Sequence, residues 1–217
     1  MVSPKLSIIL VLLFFTYESH SSSSSSSHIQ QFDDHKVNLT IYYESLSQPS
    51  ATFIVKNLEE IFNNDLIDMV NLQLIPWADS HVNPLNNSIS CQNGPDECEL
   101  NSLESCAINI WPNVNKHYGL IYCFEFLAIE GKSKTWQNCF HELGLPLKLI
   151  MNCFDGGNGT ELGQNYIKET AKLNPPLSFV PWVVVDDQPI GKDYANFTFY
   201  ICKAYKGVNI PAVCNVN

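Results

Sequence analysis

The sequence is poor in positive charge, and it has neither an apolar run long enough to span a bilayer nor a phosphate-binding glycine loop. Its 12 Lys and Arg residues stand against 22 Asp and Glu residues, which gives a formal net charge of -10. This charge argues against nucleic acid or an anionic membrane as a partner. The mostly apolar run at 6–15 is too short to cross a bilayer. The glycines at 156–159 do not follow a strand, as a phosphate loop requires.

The first 27 residues are typical of a signal peptide followed by a spacer. Lys5 provides a short positive region, the run at 6–15 fits a signal-peptide core, and 21–27 is a low-complexity serine run. No Ala-x-Ala site marks the cleavage point, which we place between about Tyr17 and His28. Residues 28–217 are then long enough for a single domain with a hydrophobic core, and no integral membrane segment is expected after cleavage.

The segment 37–75 carries the pattern of a strand, a helix and a second strand. Apolar and polar residues alternate from Val37 to Tyr43, which predicts a strand. Apolar residues then recur at the spacing of one helix face, at Ile54, Leu58, Ile61, Phe62 and Leu66. A second strand is predicted for Val70–Ile75. Short connections make this a βαβ unit with parallel strands, in which the loop after the first strand commonly carries the chemistry.

A helical insertion is predicted for residues 77–154. Its first part, 79–90, is rich in Asn, Ser and Pro and predicts a loop. Three helix faces follow, at Leu103–Trp111, Leu120–Ala128 and Trp136–Leu143. Six of the eight cysteines fall in this insertion, which predicts half-buried helices tied by disulfides.

The C-terminal part predicts a helix, a β-hairpin and a last helix. The first helix covers about residues 160–172. The hairpin joins a buried strand at 181–185 to a partner that begins at Gln188, through a turn at 186–187. The last helix carries Phe197, Ile201 and Ala204. With the opening βαβ unit, these elements predict an α/β, thioredoxin-like fold with a helical, disulfide-rich insertion between the βαβ unit and the C-terminal ββα part.

Cysteines and glycosylation sequons both favour the secretory pathway. Eight cysteines suit up to four disulfides in an oxidising compartment, and on the order of 100 pairings are open. The disulfide candidates are Cys91, Cys98, Cys106, Cys123, Cys139, Cys153, Cys202 and Cys214. Their spacings are not a zinc pattern, and neither a metal nor another cofactor is expected. The candidate glycosylation sites are Asn38, Asn86, Asn158 and Asn196, of which Asn38 lies within the predicted first strand.

Two motifs match the pattern of one known family. The first is Tyr43-Glu44-Ser45-Leu46 before the loop Ser47-Gln48-Pro49-Ser50. The second reads Cys-Gln-Asn-Gly-x-x-Glu-Cys-x-x-Asn-x-x-x-x-Cys, with the signature residues Cys91, Gln92, Gly94, Glu97, Cys98, Asn101 and Cys106. On these motifs the chain resembles the gamma-interferon-inducible lysosomal thiol reductase (GILT) family from Val37 to Cys214. The family has His where this chain has Asn93, and a Cys-x-x-Cys loop where this chain has Ser47 and Ser50.

The resemblance implies a reaction, a substrate class and a binding groove. The family reaction is the reduction of protein disulfides in an acidic secretory or lysosomal compartment. The implied partners are unfolded or disulfide-containing polypeptides, and the implied destination is the lysosome, the vacuole or the outside of the cell. By the same resemblance, Pro181 is a cis-proline beside the redox loop. Val180 before it offers backbone hydrogen bonds to a bound chain.

Serines at positions 47 and 50 cannot carry out the family reaction. Disulfide exchange needs a thiolate that attacks and a second thiol that resolves the mixed disulfide, and a hydroxyl does neither. Ser47 is instead expected to be an N-cap whose oxygen accepts a hydrogen bond from a first-turn amide. Pro49 fits the same turn, where its missing N–H is harmless.

Three hypotheses about function follow from this loop. The one we favour is a redox-inactive pseudoenzyme that binds polypeptides in the groove between the Ser47 loop and Pro181. The second is a thiol oxidoreductase that works through another cysteine pair, such as Cys91 with Cys98. The third is a purely structural, secreted glycoprotein.

Overall fold

The computed structural model describes residues 36–215 of the 217-residue chain. The predicted signal peptide and serine-rich spacer at 1–27 lie outside the described residues. Within 36–215, every helix is too short or too polar to cross a membrane.

The fold is built around a four-stranded mixed sheet. Its strands are β1 Val37–Tyr42, β2 Val70–Ile75, β5 Trp182–Val185 and β6 Gln188–Pro189, in the order β2-β1-β5-β6. β1 pairs in parallel with β2 and antiparallel with β5. Val37, Leu39 and Ile41 are buried, as the alternation predicts, and Asn38 is exposed. The thioredoxin-like arrangement predicted from the sequence is therefore present, with its first strand in the middle of the sheet.

The connection between β1 and β2 is not the single helix that the apolar spacing predicts. It consists of α1 Gln48–Thr52, a π-helical turn Phe53–Asn57, α2 Glu60–Asn63 and a 3₁₀ turn Leu66–Met69. The amide of Leu58 donates to the carbonyl of Phe53, the wide spacing of a π turn. Asp65 has left-handed backbone angles (φ 57°), which end α2 before the 3₁₀ turn. The predicted apolar face still packs into the core, because these short turns keep it on one side.

The segment after β2 forms a small hairpin and four helices. The predicted loop at 79–90 contains two short antiparallel strands, β3 His81–Val82 and β4 Ile89–Ser90. The helices are α3 Pro95–Ile110, α4 Val114–Ile129, α5 Asn138–Glu142 and α6 Leu147–Asp155, with a 3₁₀ turn at Ser133–Thr135. The predicted third helix, Trp136–Leu143, is thus the shorter α5, which follows the 3₁₀ turn, and α6 was not predicted from the sequence. These helices share a core of their own around Leu103, Leu120 and Phe124.

The C-terminal part returns to the sheet as predicted. Helix α7 Asn158–Thr170 leads to β5, and the turn at Asp186 and Asp187 joins β5 to β6. Both turn residues have positive φ, which suits a tight hairpin with right-handed twist. A 3₁₀ turn Gly191–Asn196, α8 Phe197–Ala204 and a 3₁₀ turn Ala212–Asn215 follow. Phe197 and Ile201 of α8 are buried in the sheet core.

Helix α7 lies close against α3 and Trp77 because two of its residues are glycines. A Cβ on Gly159 would collide with the backbone and side chain of Ser102 in α3. A Cβ on Gly163 would lie 2.6 Å from Cε2 of Trp77. The indole is 1% exposed, and its Nε1 donates to Oγ of Ser105 at 2.9 Å, so the ring has little room to move.

We expect Gly163→Ala to destabilise the protein by about 2–3 kcal/mol, because the added methyl group overpacks a fixed indole ring. Gly119→Ala is the matched control, since Gly119 is also helical and has open space around its Cβ position. That change should leave stability equal or raise it by about 0.4–1 kcal/mol. Urea unfolding followed by tryptophan fluorescence measures both. Equal stabilities for the two variants would contradict the close packing.

Candidate functional site

The two serines that replace the family cysteines sit at the start of α1, at the carboxyl end of β1. Ser47 is the N-cap residue, and its backbone carbonyl accepts from the amide of Ala51 at 2.9 Å. Gln48 and Pro49 are the first two helical residues and are exposed, and Ser50 is the third. Ser47 is 9% exposed, whereas Ser50 is completely buried. The loop therefore presents one position to solvent and one to the interior.

Ser47 does not make the side-chain cap that the sequence analysis predicted. Its side chain forms no capping hydrogen bond. An N-cap oxygen normally accepts from the amide of the second or third helical residue, and Pro49 has no N–H at the second. The hydroxyl of Ser50 is buried without a hydrogen-bond partner in the described chain. A buried, unpaired hydroxyl costs about 1–3 kcal/mol, so the polar side chain at this position is a poor fit to its surroundings.

Pro181 lies at the same end of the sheet as this loop. β1 and β5 are antiparallel with Tyr42 opposite Trp182, so the residue before Trp182 faces the chain that leaves β1. The Val180–Pro181 peptide bond is cis. Pro181 is buried and Val180 is half-buried, where Val180 packs beside Trp182. The structure thus places the Ser47 loop and Pro181, the two elements of the predicted groove, at the same end of the sheet.

The signature segment forms a disulfide loop and the first turns of α3. Cys91 pairs with Cys98, with both residues half-exposed, and Gln92 is exposed. Gly94 is the residue before α3 and has φ 91°, a backbone angle that favours glycine. Glu97 and Cys106 are buried on the inner side of the helix.

Asn93, where this chain departs from the family pattern, binds Glu97. Its backbone amide donates to one carboxylate oxygen at 3.0 Å, and its side-chain Nδ2 donates to the other at 2.5 Å. Glu97 lies in the first turn of α3, where the helix dipole favours a negative charge. The substitution therefore retains a hydrogen-bond donor for this buried carboxylate.

Asn101 joins α3 to the loop that precedes Ser47. Its Nδ2 donates to Oε2 of Glu44 at 2.5 Å. Its Oδ1 accepts from the amide of Ser45 at 3.0 Å and from the hydroxyl of Ser45 at 2.5 Å. The amide of Asp79 and the hydroxyl of Ser80 donate to the other oxygen of Glu44, at 2.6 and 2.9 Å. All hydrogen-bonding atoms of the Asn101 side chain thus contact the segment that leads into α1.

Three glutamates with shifted pKa values surround Asn101, and sequence reasoning missed all of them as functional candidates. Burial, and then the charge of Glu97, raises the pKa of Glu44 to about 7. Burial raises the pKa of Glu104 to about 8 and that of Glu125 well above its ordinary value. In the sequence, Glu44 is marked only as a member of the motif Tyr43-Glu44-Ser45-Leu46. Glu125 carried a usable signal, because it is an isolated charge within the apolar sequence of α4.

All eight cysteines are in disulfides. The pairs are Cys91–Cys98, Cys106–Cys153, Cys123–Cys139 and Cys202–Cys214. The second links α3 to α6 and the third links α4 to the start of α5, which agrees with the prediction of helices tied by disulfides. Ser80 Oγ lies 3.6 Å from Cys91 Sγ, so the exposed pair is adjacent to the buried Glu44.

The four candidate glycosylation sites all expose their asparagine side chains. Asn38 lies in β1, and Asn158 and Asn196 lie at or beside helix starts. Asn86 lies in the loop between β3 and β4, where its Oδ1 accepts from the amide and the hydroxyl of Ser88. The Asn86 site is therefore the one held in a turn outside the main sheet and helices.

Sequence comparisons connect these motifs to known proteins. A family model described as gamma interferon inducible lysosomal thiol reductase (GILT) matches residues 38–143. A gamma-interferon-responsive lysosomal thiol protein from Arabidopsis thaliana is 36% identical over 184 residues, which cover 83% of this chain and 76% of that protein. A gamma-interferon-inducible lysosomal thiol reductase from Mus musculus is 27% identical over 181 residues, covering 82% and 72%.

Comparison with solved structures agrees on the fold. DsbA from Chlamydia trachomatis superposes with a TM-score of 0.56 at 13% identity, over 79% of this chain and 88% of that one. Oxidised BdbD from Bacillus subtilis gives a TM-score of 0.56 at 14% identity, over 81% and 90%. At these identities the likeness establishes a thioredoxin-like architecture with a helical insertion.

Proposed function

Because the chain belongs to the gamma-interferon-inducible lysosomal thiol reductase (GILT) family, we propose that it is a member that binds polypeptides without reducing their disulfides. Its scaffold is that of a thiol–disulfide oxidoreductase. The observation that carries the proposal is the pair Ser47 and Ser50 at the start of α1, in an otherwise intact fold. The protein then acts by binding a polypeptide at this end of the sheet, and it leaves the disulfides of that polypeptide unchanged.

The chemical part of the proposal rests on sulfur. Reduction of a disulfide requires a thiolate to attack one sulfur, form a mixed disulfide and release the other sulfur as a thiol. A second thiolate then displaces the product, and the two protein sulfurs become oxidised to a disulfide. Hydroxyls at Ser47 and Ser50 form no such bond, and every cysteine of the chain is already paired. This site therefore has no electrons to give.

The binding part of the proposal rests on the side chains and backbone groups after β1 and before β5. Gln48 and Pro49 are exposed, Leu46 is half-buried against the core of the helical insertion, and Val180 is half-buried beside Trp182. The backbone around Val180 precedes the interior strand β5, and its N–H and C=O groups can hydrogen-bond an extended chain. Unfolded polypeptides, which expose both apolar side chains and backbone groups, are the class of ligand that fits.

We further propose that the protein travels the secretory pathway to the lysosome, the vacuole or the outside of the cell. Four disulfides are consistent with an oxidising compartment. The names of the Arabidopsis and mouse relatives include the word lysosomal. The exposed sequons support glycosylation, with Asn86 as the first site to test.

Val180→Glu is expected to weaken binding of a reduced and alkylated, unfolded protein by about tenfold or more, which corresponds to about 1.4 kcal/mol. The reason is that the new charge must lose water when an apolar chain covers it. Alkylation removes every thiol and disulfide from the ligand, so that binding is measured apart from exchange. Fluorescence anisotropy of the labelled ligand gives the affinity.

Val208→Glu is the matched control, because Val208 is 88% exposed near the C-terminus. It makes the same chemical change away from the proposed groove and should leave the affinity unchanged. Equal effects of the two substitutions would place binding elsewhere. No binding by the natural protein would reject the polypeptide-binding proposal and favour a purely structural, secreted glycoprotein.

A further inference from the structure

Four glutamates with no exposed surface gather between the loop before α1 and the helices α3 and α4. They are Glu44 in the loop, Glu97 and Glu104 on α3, and Glu125 on α4, and we refer to them as the glutamate cluster. Among residues 36–215, neither a lysine nor a histidine forms an ion pair with this group. The sequence contains no arginine. The ion pairs found within 36–215 are exposed and lie elsewhere, as Lys132–Glu130, Lys134–Asp96 and His141–Glu142.

The other groups that face the cluster are polar or acidic. Tyr43 of the loop is fully buried, and its pKa is raised by burial and by the charges of Glu104 and Glu125. Asp79, after β2, contributes its backbone amide to Glu44. Tyr166 of α7 interacts electrostatically with Tyr43. Among the described residues, the groups that shift the pKa values of Tyr43, Glu44, Glu104 and Glu125 are acids, tyrosines and neutral donors.

The hydrogen bonds around Ser45 are satisfied most completely with a proton on Glu104. The Ser45 hydroxyl lies 2.5 Å from Oδ1 of Asn101 and 3.1 Å from Oε2 of Glu104. It has a single proton, which can go to only one of these acceptors. The shorter bond goes to Asn101, so the bond with Glu104 is complete when the carboxyl group of Glu104 donates to the Ser45 oxygen.

Glu125 needs a proton for a different reason. Both of its carboxyl oxygens are buried, and neither has a hydrogen-bond partner among the described residues. An ionised carboxylate in such a position has lost its water without compensation, which costs far more than burying the neutral acid. Glu104 and Glu125 are therefore held on neighbouring helices as uncharged acids.

We infer that the glutamate cluster is a proton-dependent latch: the packing of the loop before α1 on α3 and α4 requires neutral acids at Glu104 and Glu125, and it loosens when they ionise. The loop contains Glu44 and Ser45 and leads directly into Ser47. Ionisation adds negative charge next to Glu97 and makes Glu104 and Asn101 compete for the single proton of the Ser45 hydroxyl. A change in external pH therefore changes how firmly the loop before α1 is held, and with it the position of Ser47 in the proposed binding site.

The direction of the pH dependence follows from the shifted pKa values. An unfolded glutamate has a pKa of about 4.3. In the folded protein, burial raises the pKa of Glu104 to about 8 and that of Glu125 well above normal. The folded state thus holds protons that the unfolded state has released. The stabilisation is complete below about pH 4.3; the part due to Glu104 is lost as the pH rises through about 8, and the part due to Glu125 is lost as the pH rises through its own raised pKa.

One histidine acts in the opposite direction. Burial lowers the pKa of His117, so this group favours unfolding at acidic pH. An unfolded histidine is largely neutral above its ordinary pKa of about 6.5. The effect of the glutamate cluster is therefore best measured at about pH 7–7.5, where the unfolded state has released its glutamate protons and most of its histidine protons.

The experiment is urea unfolding of the mature, disulfide-bonded protein at several pH values in this range. With about two protons retained by the folded state, the equilibrium constant for unfolding should rise about 100-fold per pH unit. In Glu104→Gln and in Glu125→Gln, which mimic the neutral acid, the rise should fall to about tenfold per pH unit. Glu161→Gln, an exposed position on α7, should keep the natural slope.

A flat profile for the natural protein, or Gln variants with the natural slope, would overturn the inference. If both Gln variants fail to fold, infrared spectroscopy of the natural protein tests it directly. A carbonyl band from protonated carboxylic acids should be present at about pH 6.5 and should disappear as the pH is raised above about 8. Absence of that band at about pH 6.5 would equally reject neutral acids in the fold.

Discussion

The double variant Ser47→Cys/Ser50→Cys is expected to reduce the disulfides of a denatured protein at mildly acidic pH, whereas the natural protein is expected to be inert. The two positions are the N-cap and third residue of α1, where the helix N-terminus lowers the pKa of a thiol. Because exchange requires a thiolate, the gain should be roughly 100-fold or more above the background of the natural protein. Release of a quenched fluorophore from a disulfide-linked substrate measures it.

The single variants serve as controls, because the two positions differ in exposure. Ser47→Cys places the one free thiol of the protein at a position that is 9% exposed, and it should accumulate a mixed disulfide with substrate for lack of a resolving thiol. Ser50→Cys places the thiol at a fully buried position, and it should neither react nor turn over. Mass spectrometry of the quenched reaction distinguishes these outcomes.

Two results of this assay would contradict the proposed function. Activity in the natural protein would mean that another cysteine pair carries the electrons, and the half-exposed Cys91–Cys98 disulfide is the first candidate. An inert double variant would show that this chain has lost the groove as well as the sulfur.

Local patterns in the sequence were enough to predict the elements of the sheet. Alternation identified β1, and the apolar stretch at Val70–Ile75 identified β2 with the bounds that the structure gives. The broken connection between them was not predictable from apolar spacing, because Ile54, Leu58 and Ile61 remain buried whether or not the helix is continuous. Hydrophobic periodicity reports which face is buried, and it does not report the hydrogen-bond pattern of each turn.

Side-chain partnerships at the site were predictable only in part. That eight cysteines form disulfides follows from their number and setting, but their pairing depends on which helices meet. The contacts of Asn101 with Ser45 and Glu44 span 56 and 57 residues of sequence, so no local sequence pattern predicts them. The capping role predicted for Ser47 was wrong: Pro49 removes one of the two amides that a cap can use, and the Ser47 side chain forms no bond with the other, that of Ser50.

Asn101→Ala is expected to cost about 3–5 kcal/mol of stability, the second large effect that the structure predicts. The change removes the donor to Oε2 of Glu44 and the acceptor for the amide and hydroxyl of Ser45. These partners are buried, and each one left unpaired costs about 1–3 kcal/mol. Urea unfolding at about pH 5.5, where Glu44, Glu104 and Glu125 are largely protonated, measures the loss.

The matched controls separate the hydrogen bonds from the loss of an asparagine as such. Asn165→Ala changes an exposed position on α7 and should alter stability by less than about 0.5 kcal/mol. Asn101→Asp keeps the size of the side chain and the Oδ1 acceptor, but it replaces the donor with an oxygen that faces Glu44. Its penalty should therefore grow as the pH rises, because a new negative charge is added to a site without cations. A loss in Asn101→Ala no larger than in Asn165→Ala would mean that Asn101 does not hold the loop before α1 to α3.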